Sequence, residues 1–289
     1  MDLEDRYLRL LSEKFPDAQS VETEIINLKA ILSLPKGTEH FVSDLHGASS
    51  AFIHMVKNAS GVIRRKVDDL YGSELDEAEK RALCALIYYP EERLVLESEH
   101  LCGEWYKRRL LQIVDVARAV SVKYTRSKVR KVLPEHFAYI IEELLHESSV
   151  EHNKQAYYHA IIDAIIETGV AQEMIISLCC LIHSLVIDTF HIVGDIYDRG
   201  PGAEKIMDVL STIRDYDIQW GNHDIEWMGA AMGNEALIAT VLRVSIRYAN
   251  IETLEEGYGI NLLPLANFAM QSFANGSPVM VKEKICVNF

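Results

Sequence analysis

Three short segments of the sequence combine acidic, imidazole and amide side chains with glycine. They are residues 44–47 (Asp-Leu-His-Gly), 194–200 (Gly-Asp-Ile-Tyr-Asp-Arg-Gly) and 221–224 (Gly-Asn-His-Asp). Each follows a short apolar run, so each is predicted to form a turn at the end of a strand. Mixed oxygen and nitrogen ligands of this kind suit a divalent ion such as Mn²⁺, Fe²⁺ or Zn²⁺. A carboxylate placed between two such ions can bridge them, so the residue types are compatible with a two-metal site.

Taken singly, each motif also has an ordinary structural explanation. Asp44 could cap a helix while His46 is a polar turn residue, and Gly-Asn-His-Asp could be a simple turn. Two aspartates and Arg199 at the end of an apolar strand are harder to explain as turn residues. The ordered occurrence of all three motifs at successive strand ends therefore favours a functional site over three unrelated turns.

The segments around the second and third motifs have the pattern of a βαβ unit. Residues 186–193 and 216–220 are predicted strands, and residues 203–213 between them have helical spacing of apolar side chains. A further short strand, residues 40–43, precedes the first motif. Parallel strands end at one edge of their sheet, and ligands of α/β proteins collect there. The sequence thus predicts an α/β fold with the second and third motifs at the same sheet edge and the first motif at the end of a further strand.

The rest of the chain is predicted to be helical. The first 33 residues have the pattern of two helices, the second of them following Ser20, and residues 48–185 are almost entirely helical. We expect three parts. Residues 1–37 form N-terminal helices, residues 38–47 and 186–289 form the core that carries the motifs, and residues 48–185 form a helical insertion.

Composition limits the classes of partner. The 289 residues include 29 Lys and Arg against 43 Asp and Glu, a net charge of −14, which argues against a nucleic-acid partner. The five cysteines are odd in number and contain no Cys-x-x-Cys pair, which favours a reducing, cytoplasmic location. His183, Asp188 and His191 interrupt the most apolar stretch, residues 175–193, so it is predicted to be a buried helix leading into a strand rather than a membrane span.

The ordered motifs resemble the signature of calcineurin-like metallophosphoesterases. Together with the long helical stretch between the first two motifs, the sequence resembles class III fructose-1,6-bisphosphatases. The resemblance implies a β-sandwich core with a large helical insertion. It also implies hydrolysis of fructose 1,6-bisphosphate to fructose 6-phosphate and phosphate in gluconeogenesis, with divalent metal, expected to be Mn²⁺. The implied partner is a small sugar bisphosphate, with no nucleic acid and no membrane, and homo-oligomerisation stays open.

The resemblance assigns four metal ligands in this sequence. Asp44 and His46 of the first motif would bind one ion, Asp195 of the second motif would bridge two ions, and Asn222 of the third would bind the second ion.

Three further residues receive catalytic roles from the same resemblance. His223 would stand near the leaving-group oxygen as a proton donor, Asp198 would orient that imidazole, and Arg199 would bind the phosphate. These roles are physically reasonable because a sugar alkoxide leaves poorly without a proton, and because positive charge stabilises the equatorial oxygens during phosphoryl transfer.

The sequence departs from the family pattern after the third motif. The family has further histidine ligands there, whereas no histidine follows His223 in this chain. We therefore expect the chain to correspond to an N-terminal portion of such an enzyme. Two alternatives remain: another metallophosphoesterase, such as a protein phosphatase or a dinucleoside polyphosphate hydrolase, or an inactive fragment.

Overall fold

The computed structural model describes residues 3–146 and 155–273, and these residues form helices around a small sheet. The three strands are β1 (Glu39–Val42), β2 (Thr189–Val193) and β3 (Tyr216–Gln219). The α-helices are α1 (Leu3–Lys14), α2 (Ala18–Leu32), α3 (Ser49–Asn58), α4 (Val62–Tyr71), α5 (Glu77–Tyr88), α6 (Pro90–Leu96), α7 (Gly103–Ser121), α8 (Arg126–Arg130), α9 (Ala138–His146), α10 (Gln155–Glu167), α11 (Ala171–Val186), α12 (Ala203–Thr212), α13 (Asn222–Ala231), α14 (Glu235–Tyr248) and α15 (Leu263–Phe273).

The sheet is parallel, with the strand order β1-β2-β3. Phe41 lies opposite His191, and Ile192 lies opposite Ile218. Strands β2 and β3 are connected through α12, so the predicted βαβ unit and the α/β class are confirmed. Within the described residues the sheet has three strands, and the second sheet of a sandwich stays an expectation.

Strand β2, which follows helix α11, begins later in the chain than the sequence predicted. The strand was predicted from residue 186, but α11 continues through Val186 and β2 begins at Thr189. The side chain of Asp188 accepts a hydrogen bond from the backbone N–H of Thr38 at 2.8 Å, and the backbone N–H of Asp188 donates to the Thr38 carbonyl, also at 2.8 Å. These bonds fix the bend between helix and strand. The apolar run is thus a buried helix followed by a strand, as predicted.

Two apolar clusters hold the described residues together. The larger lies among the helices between α4 and α11, where the helix pair α7 and α11 packs most extensively. The smaller lies against one face of the sheet and is formed by Phe52, Ile192, Ile196, Ala203, Ile206 and Leu210. The opposite face of the sheet is open, and Phe41 is 67% exposed there. The predicted division of the chain at residues 37, 47 and 185 stays a prediction, and residues 274–289 of its last part lie outside the described ones.

The two N-terminal helices are present, with one corrected boundary. Helix α2 begins at Ala18 rather than after Ser20, because the Asp17 side chain accepts a hydrogen bond from the Ser20 N–H at 2.7 Å and caps the helix three residues earlier. Neither α1 nor α2 contains a buried residue. Both helices therefore lie on the surface of the described chain.

Among the described residues, no single helix is long and apolar enough to cross a membrane. Helices α10 and α11 reach the required length and composition only when taken together, and they meet at a bend of 119°. The four described cysteines, Cys84, Cys102, Cys179 and Cys180, are free thiols. Cys286 lies outside the described residues.

Candidate metal centre

The first motif forms a tight turn directly after β1. Asp44 and His46 both adopt left-handed backbone conformations, with φ of 54° and 44°. The N–H of His46 donates to the carbonyl of Asp195 at 2.7 Å, and the N–H of Gly47 donates to that of Ile196 at 2.8 Å. The first turn is therefore joined to the second by its own backbone.

The second motif leaves β2 at the same sheet edge and touches the first turn. The N–H of Gly200 donates to the His46 carbonyl at 2.8 Å. A Cβ atom on Gly47 would lie 2.2 Å from the Gly200 carbonyl oxygen, and one on Gly200 would lie 2.1 Å from the His46 carbonyl oxygen. Both positions therefore require glycine, because any side chain would force the two turns apart.

Asp44, His46 and Asp195 bring ligand atoms together at this edge. One oxygen or nitrogen from each lies within 4.8 Å of those of the other two. The Asp44 carboxylate is 69% exposed and the His46 imidazole 23% exposed, so the group can be reached from solvent. Asp195 has a φ of 56°, so it shares the positive φ of Asp44 and His46. Strained backbone of this kind clusters at functional sites.

The third motif packs its glycine against the second turn. A Cβ on Gly221 would lie 2.0 Å from Asp195 Oδ1, and one on Gly194 would lie 2.9 Å from Gly221. Asn222 is the first residue of α13, and the next residue, His223, donates its N–H to Asp195 Oδ1 at 3.4 Å. All three motifs thus converge at one edge of the sheet, which the sequence had predicted for the second and third motifs. The structure places Asn222 beside the group without defining its amide as a ligand.

Asp198 lies between the histidines of the first and third motifs. Its Oδ2 atom is 3.5 Å from His46 Nδ1 and 2.9 Å from Arg199 Nε, and its Oδ1 atom is 3.7 Å from His223 Nδ1. The two imidazole rings meet edge to face with centroids 6.0 Å apart. The side chain of Asp198 is 6% exposed, whereas that of Arg199 is 56% exposed. One buried carboxylate therefore faces two imidazoles, and Arg199 reaches solvent beside them.

Three polar residues at this edge were missed as functional candidates. Glu226 Oε2 lies 3.5 Å from His223 Nδ1, one helical turn along α13. Asp224 is buried and accepts hydrogen bonds from the backbone of the second motif. Asn250 donates its amide to the Asp198 carbonyl at 2.8 Å. Helical spacing from His223 and Gly221 could have identified the first two, but no local pattern connects Asn250 to a motif more than fifty residues away.

An apolar cavity of about 630 Å³ borders the buried side of the second turn. Ile196, Tyr197 and Asp224 line it on the side of the site, and Trp227 and Tyr258 lie among its other walls. The hydroxyl groups of Tyr197 and Tyr258 are 2.5 Å apart. The backbone hydrogen bonds of Asp224 thus lie against apolar surroundings, where such bonds are electrostatically stronger than in water.

Two residues that lie away from the three turns have clearly shifted pKa values. Burial disfavours ionisation of Asp188, but hydrogen bonds from Lys128, Tyr124, the Thr38 backbone and Lys123 outweigh it and lower its pKa to about 2. Burial, followed by the nearby charge of Lys57, lowers the pKa of His183 to about 4. Asp188 precedes β2, so this charged cluster lies at the sheet edge opposite the candidate metal centre.

The sequence of this chain matches a known protein family over most of its length. Residues 6–287 match the family of Firmicute fructose-1,6-bisphosphatases. The chain belongs to this family. The match covers the three motifs and the helical region between the first two of them. The predicted resemblance of the chain to fructose-1,6-bisphosphatases is therefore confirmed.

Similar fructose-1,6-bisphosphatases cover this chain almost completely. The class 3 enzyme of Bacteroides thetaiotaomicron is 60% identical over 272 residues, which are 93% of this chain and 41% of that protein. The corresponding protein of Clostridium botulinum is 57% identical over 286 residues, or 98% and 42%. That of Porphyromonas gingivalis is 56% identical over 281 residues, or 96% and 43%. The chain spans about two fifths of the length of these curated relatives. No solved structure matches it.

Proposed function

We propose that this chain takes part in the hydrolysis of fructose 1,6-bisphosphate to fructose 6-phosphate and phosphate. The observation that carries the proposal is the convergence of Asp44, His46 and Asp195 at the carboxyl edge of the sheet. The three relatives described above are named fructose-1,6-bisphosphatase class 3, which favours this reaction over a protein phosphatase or a dinucleoside polyphosphate hydrolase. We also propose a role in gluconeogenesis and a cytoplasmic location.

The donor set supports a divalent metal at this edge, for which we propose Mn²⁺. Two carboxylates and one imidazole are the mixed oxygen and nitrogen ligands that such an ion accepts. His46 Nε2 lies 3.8 Å from Asp44 Oδ1, while its Nδ1 faces Asp198 Oδ2 at 3.5 Å, so Nε2 is free to bind an ion and Asp198 can orient the ring. Asp44, His46 and Asp195 would hold the ion, and Asp195 with Asn222 would serve a second one. A bound ion supplies Lewis acidity, which withdraws charge from phosphoryl oxygens.

The protein's own side chains would hold the substrate and move a proton. The exposed guanidinium of Arg199 is fixed by its 2.9 Å contact with Asp198, so it can bind phosphoryl oxygens in a set direction. His223 Nδ1 lies 3.7 Å from Asp198 Oδ1 and 3.5 Å from Glu226 Oε2, so these carboxylates can orient the imidazole ring. A protonated His223 would then donate its proton to the departing sugar oxygen.

Phosphate release is the direct test. The purified chain, supplied with Mn²⁺ and fructose 1,6-bisphosphate, should release phosphate, and the variant Asp195→Asn should abolish it. Asp217→Asn is the matched control. It removes the charge of an exposed aspartate on β3 whose partner is His191, on the open face of the sheet. Unchanged release by Asp195→Asn would refute the assigned site.

Two further arms separate the alternatives. A phosphoserine peptide in place of the sugar bisphosphate tests the protein phosphatase function, and release from the peptide alone would contradict the sugar assignment. A chain that binds Mn²⁺ but releases phosphate from neither substrate would behave as an inactive fragment. Light scattering under the same conditions measures whether copies of the chain associate.

A further inference from the structure

The carboxylate of Asp224 is surrounded by backbone donors from two different turns. Asp224 is 5% exposed. Its Oδ2 atom accepts from the N–H of Asp195 at 2.7 Å and of Gly221 at 2.9 Å. Its Oδ1 atom accepts from the N–H of Ile196 at 2.9 Å and of Tyr197 at 3.1 Å. Since an ionised carboxylate has about four acceptor positions, these four bonds leave it no capacity to act as a metal ligand.

These bonds hold the second turn in a conformation that it would not adopt freely. Asp195 has a φ of 56°, which is costly for a residue with a Cβ atom. The three successive N–H groups of Asp195, Ile196 and Tyr197 point at one carboxylate, so their positions are defined together. Without that acceptor, three donors beside an apolar cavity would lose their partner.

The second turn fixes the first turn through backbone hydrogen bonds. The carbonyls of Asp195 and Ile196 accept the N–H groups of His46 and Gly47 at 2.7 and 2.8 Å. The Asp195–Ile196 and Ile196–Tyr197 peptide groups thus each donate their N–H to Asp224 and accept at their carbonyl an N–H of the first turn. The backbone that carries Asp195 and the backbone that carries His46 are consequently fixed by one buried carboxylate.

We propose that Asp224 is the positioning residue that holds Asp195 and, through it, His46 at ligand distance from each other. The proposal rests on the proposed function in so far as these two side chains bind the metal. Asp224 acts through the backbone and touches neither the metal nor the substrate. Residues that orient metal ligands in this way typically change metal affinity by about 10- to 100-fold when they are replaced.

The test compares Asp224→Asn with the wild-type chain and with a matched control. The substitution keeps side-chain volume but puts an amide N–H₂ against backbone donors. Asp76→Asn is the control, because Asp76 also accepts two backbone N–H bonds, from Ala78 and Glu79, at the start of α5. Asp224→Glu retains the negative charge and tests rescue.

Two measurements are made on each protein: amide hydrogen exchange of residues 39–47 and 194–200, and Mn²⁺ affinity by calorimetry. We expect Asp224→Asn to speed exchange of both segments by roughly tenfold or more and to weaken Mn²⁺ binding by about 10- to 100-fold. Asp76→Asn should change neither, and Asp224→Glu should lie closer to the wild type in both.

The exchange and affinity measurements also distinguish a failure of the metal assignment from a failure of the positioning role of Asp224. If the wild-type chain binds no Mn²⁺, the metal assignment fails, but the exchange data still decide whether Asp224 orders the turns. Unchanged exchange in Asp224→Asn would overturn the positioning role, as would a loss in Asp224→Glu as large as that in Asp224→Asn. A rise in exchange confined to residues 194–200 would also overturn it, because the first turn would then be ordered independently.

Discussion

Replacement of Gly221 by alanine should disturb the candidate metal centre without straining the backbone. Gly221 has φ −81° and ψ 173°, a conformation that any residue adopts. The cost of the added methyl group is therefore purely steric. It would lie 2.0 Å from Asp195 Oδ1 and 2.5 Å from the Asp195 nitrogen.

The size of the effect follows from these distances. An ordinary contact begins at 3.4 Å, so Asp195 and Gly221 must separate by about 1.4 Å. Overpacking of this kind costs about 1–3 kcal/mol, and weakening the Asp224 hydrogen bond to the Asp195 N–H adds roughly 1 kcal/mol. The total of about 2–4 kcal/mol, at roughly 2–4 °C in Tm per kcal/mol for a large domain, corresponds to a fall of roughly 4–16 °C. Displacement of the Asp195 carboxylate should also weaken Mn²⁺ binding.

Differential scanning calorimetry and Mn²⁺ titration measure both effects. Gly103→Ala is the matched control, because Gly103 also lies at a helix start and a Cβ there would meet nothing closer than Ile166 at 3.9 Å. That variant should be neutral or slightly stabilising, because alanine restricts the unfolded chain. The reasoning is refuted if Gly221→Ala melts within about 1 °C of Gly103→Ala and binds Mn²⁺ equally well.

Three further predictions concern stability. Because the pKa of His183 is lowered to about 4, the unfolded chain binds a proton that the folded chain does not between pH 6.5 and about 4. The free energy of unfolding should therefore fall by about 3 kcal/mol over that interval, and less in His183→Gln, as urea titrations would measure. Asp188→Asn should lower the free energy of unfolding by roughly 2 kcal/mol at pH 7. The difference between the variant and the wild type should shrink as the pH falls from about 4 towards 2, because the Asp188 carboxylate, with its lowered pKa, becomes protonated in that range. Ile113→Ala should cost about 2–5 kcal/mol in the helical core, whereas Leu8→Ala on the exposed face of α1 should cost under about 0.5 kcal/mol by chemical denaturation.

The parallel βαβ unit and the meeting of the second and third motifs could be predicted because both follow from local patterns. Apolar runs ending in polar turns identify strand ends, and a helix between two such strands requires them to be parallel. These patterns predicted Asp195 and His223 at one sheet edge, whereas the pairing of β1 with β2, which brings Asp44 there, had no local pattern to predict it. The boundaries were less accurate. Helix α2 starts early because of the Asp17 cap, and β2 starts late because Asp188 is bonded to Thr38.

Residues that act through the backbone were the part that sequence patterns could not assign. Asp224 stands within a recognised motif, yet its four donors belong to residues distant in sequence or to a glycine without a side chain. Asn250 reaches the Asp198 carbonyl from the end of α14, and its spacing from the motif is set by packing alone. A pattern of residue types identifies side chains that could bind a metal. The residues that hold those side chains in place through backbone hydrogen bonds are identified only from the three-dimensional positions of the donors.

The glycines of the three motifs and the candidate metal ligands depend on the same close approach of the turns. Asp44, His46 and Asp195 come within ligand distance because the turns that carry them touch backbone to backbone. That approach is possible only where a Cβ is missing, at Gly47, Gly200 and Gly221. A site built in this way should tolerate little change in its glycines even where the ligands are kept. It follows that replacing a glycine tests the centre as directly as replacing a carboxylate, and that losses from the two kinds of variant should not add when combined.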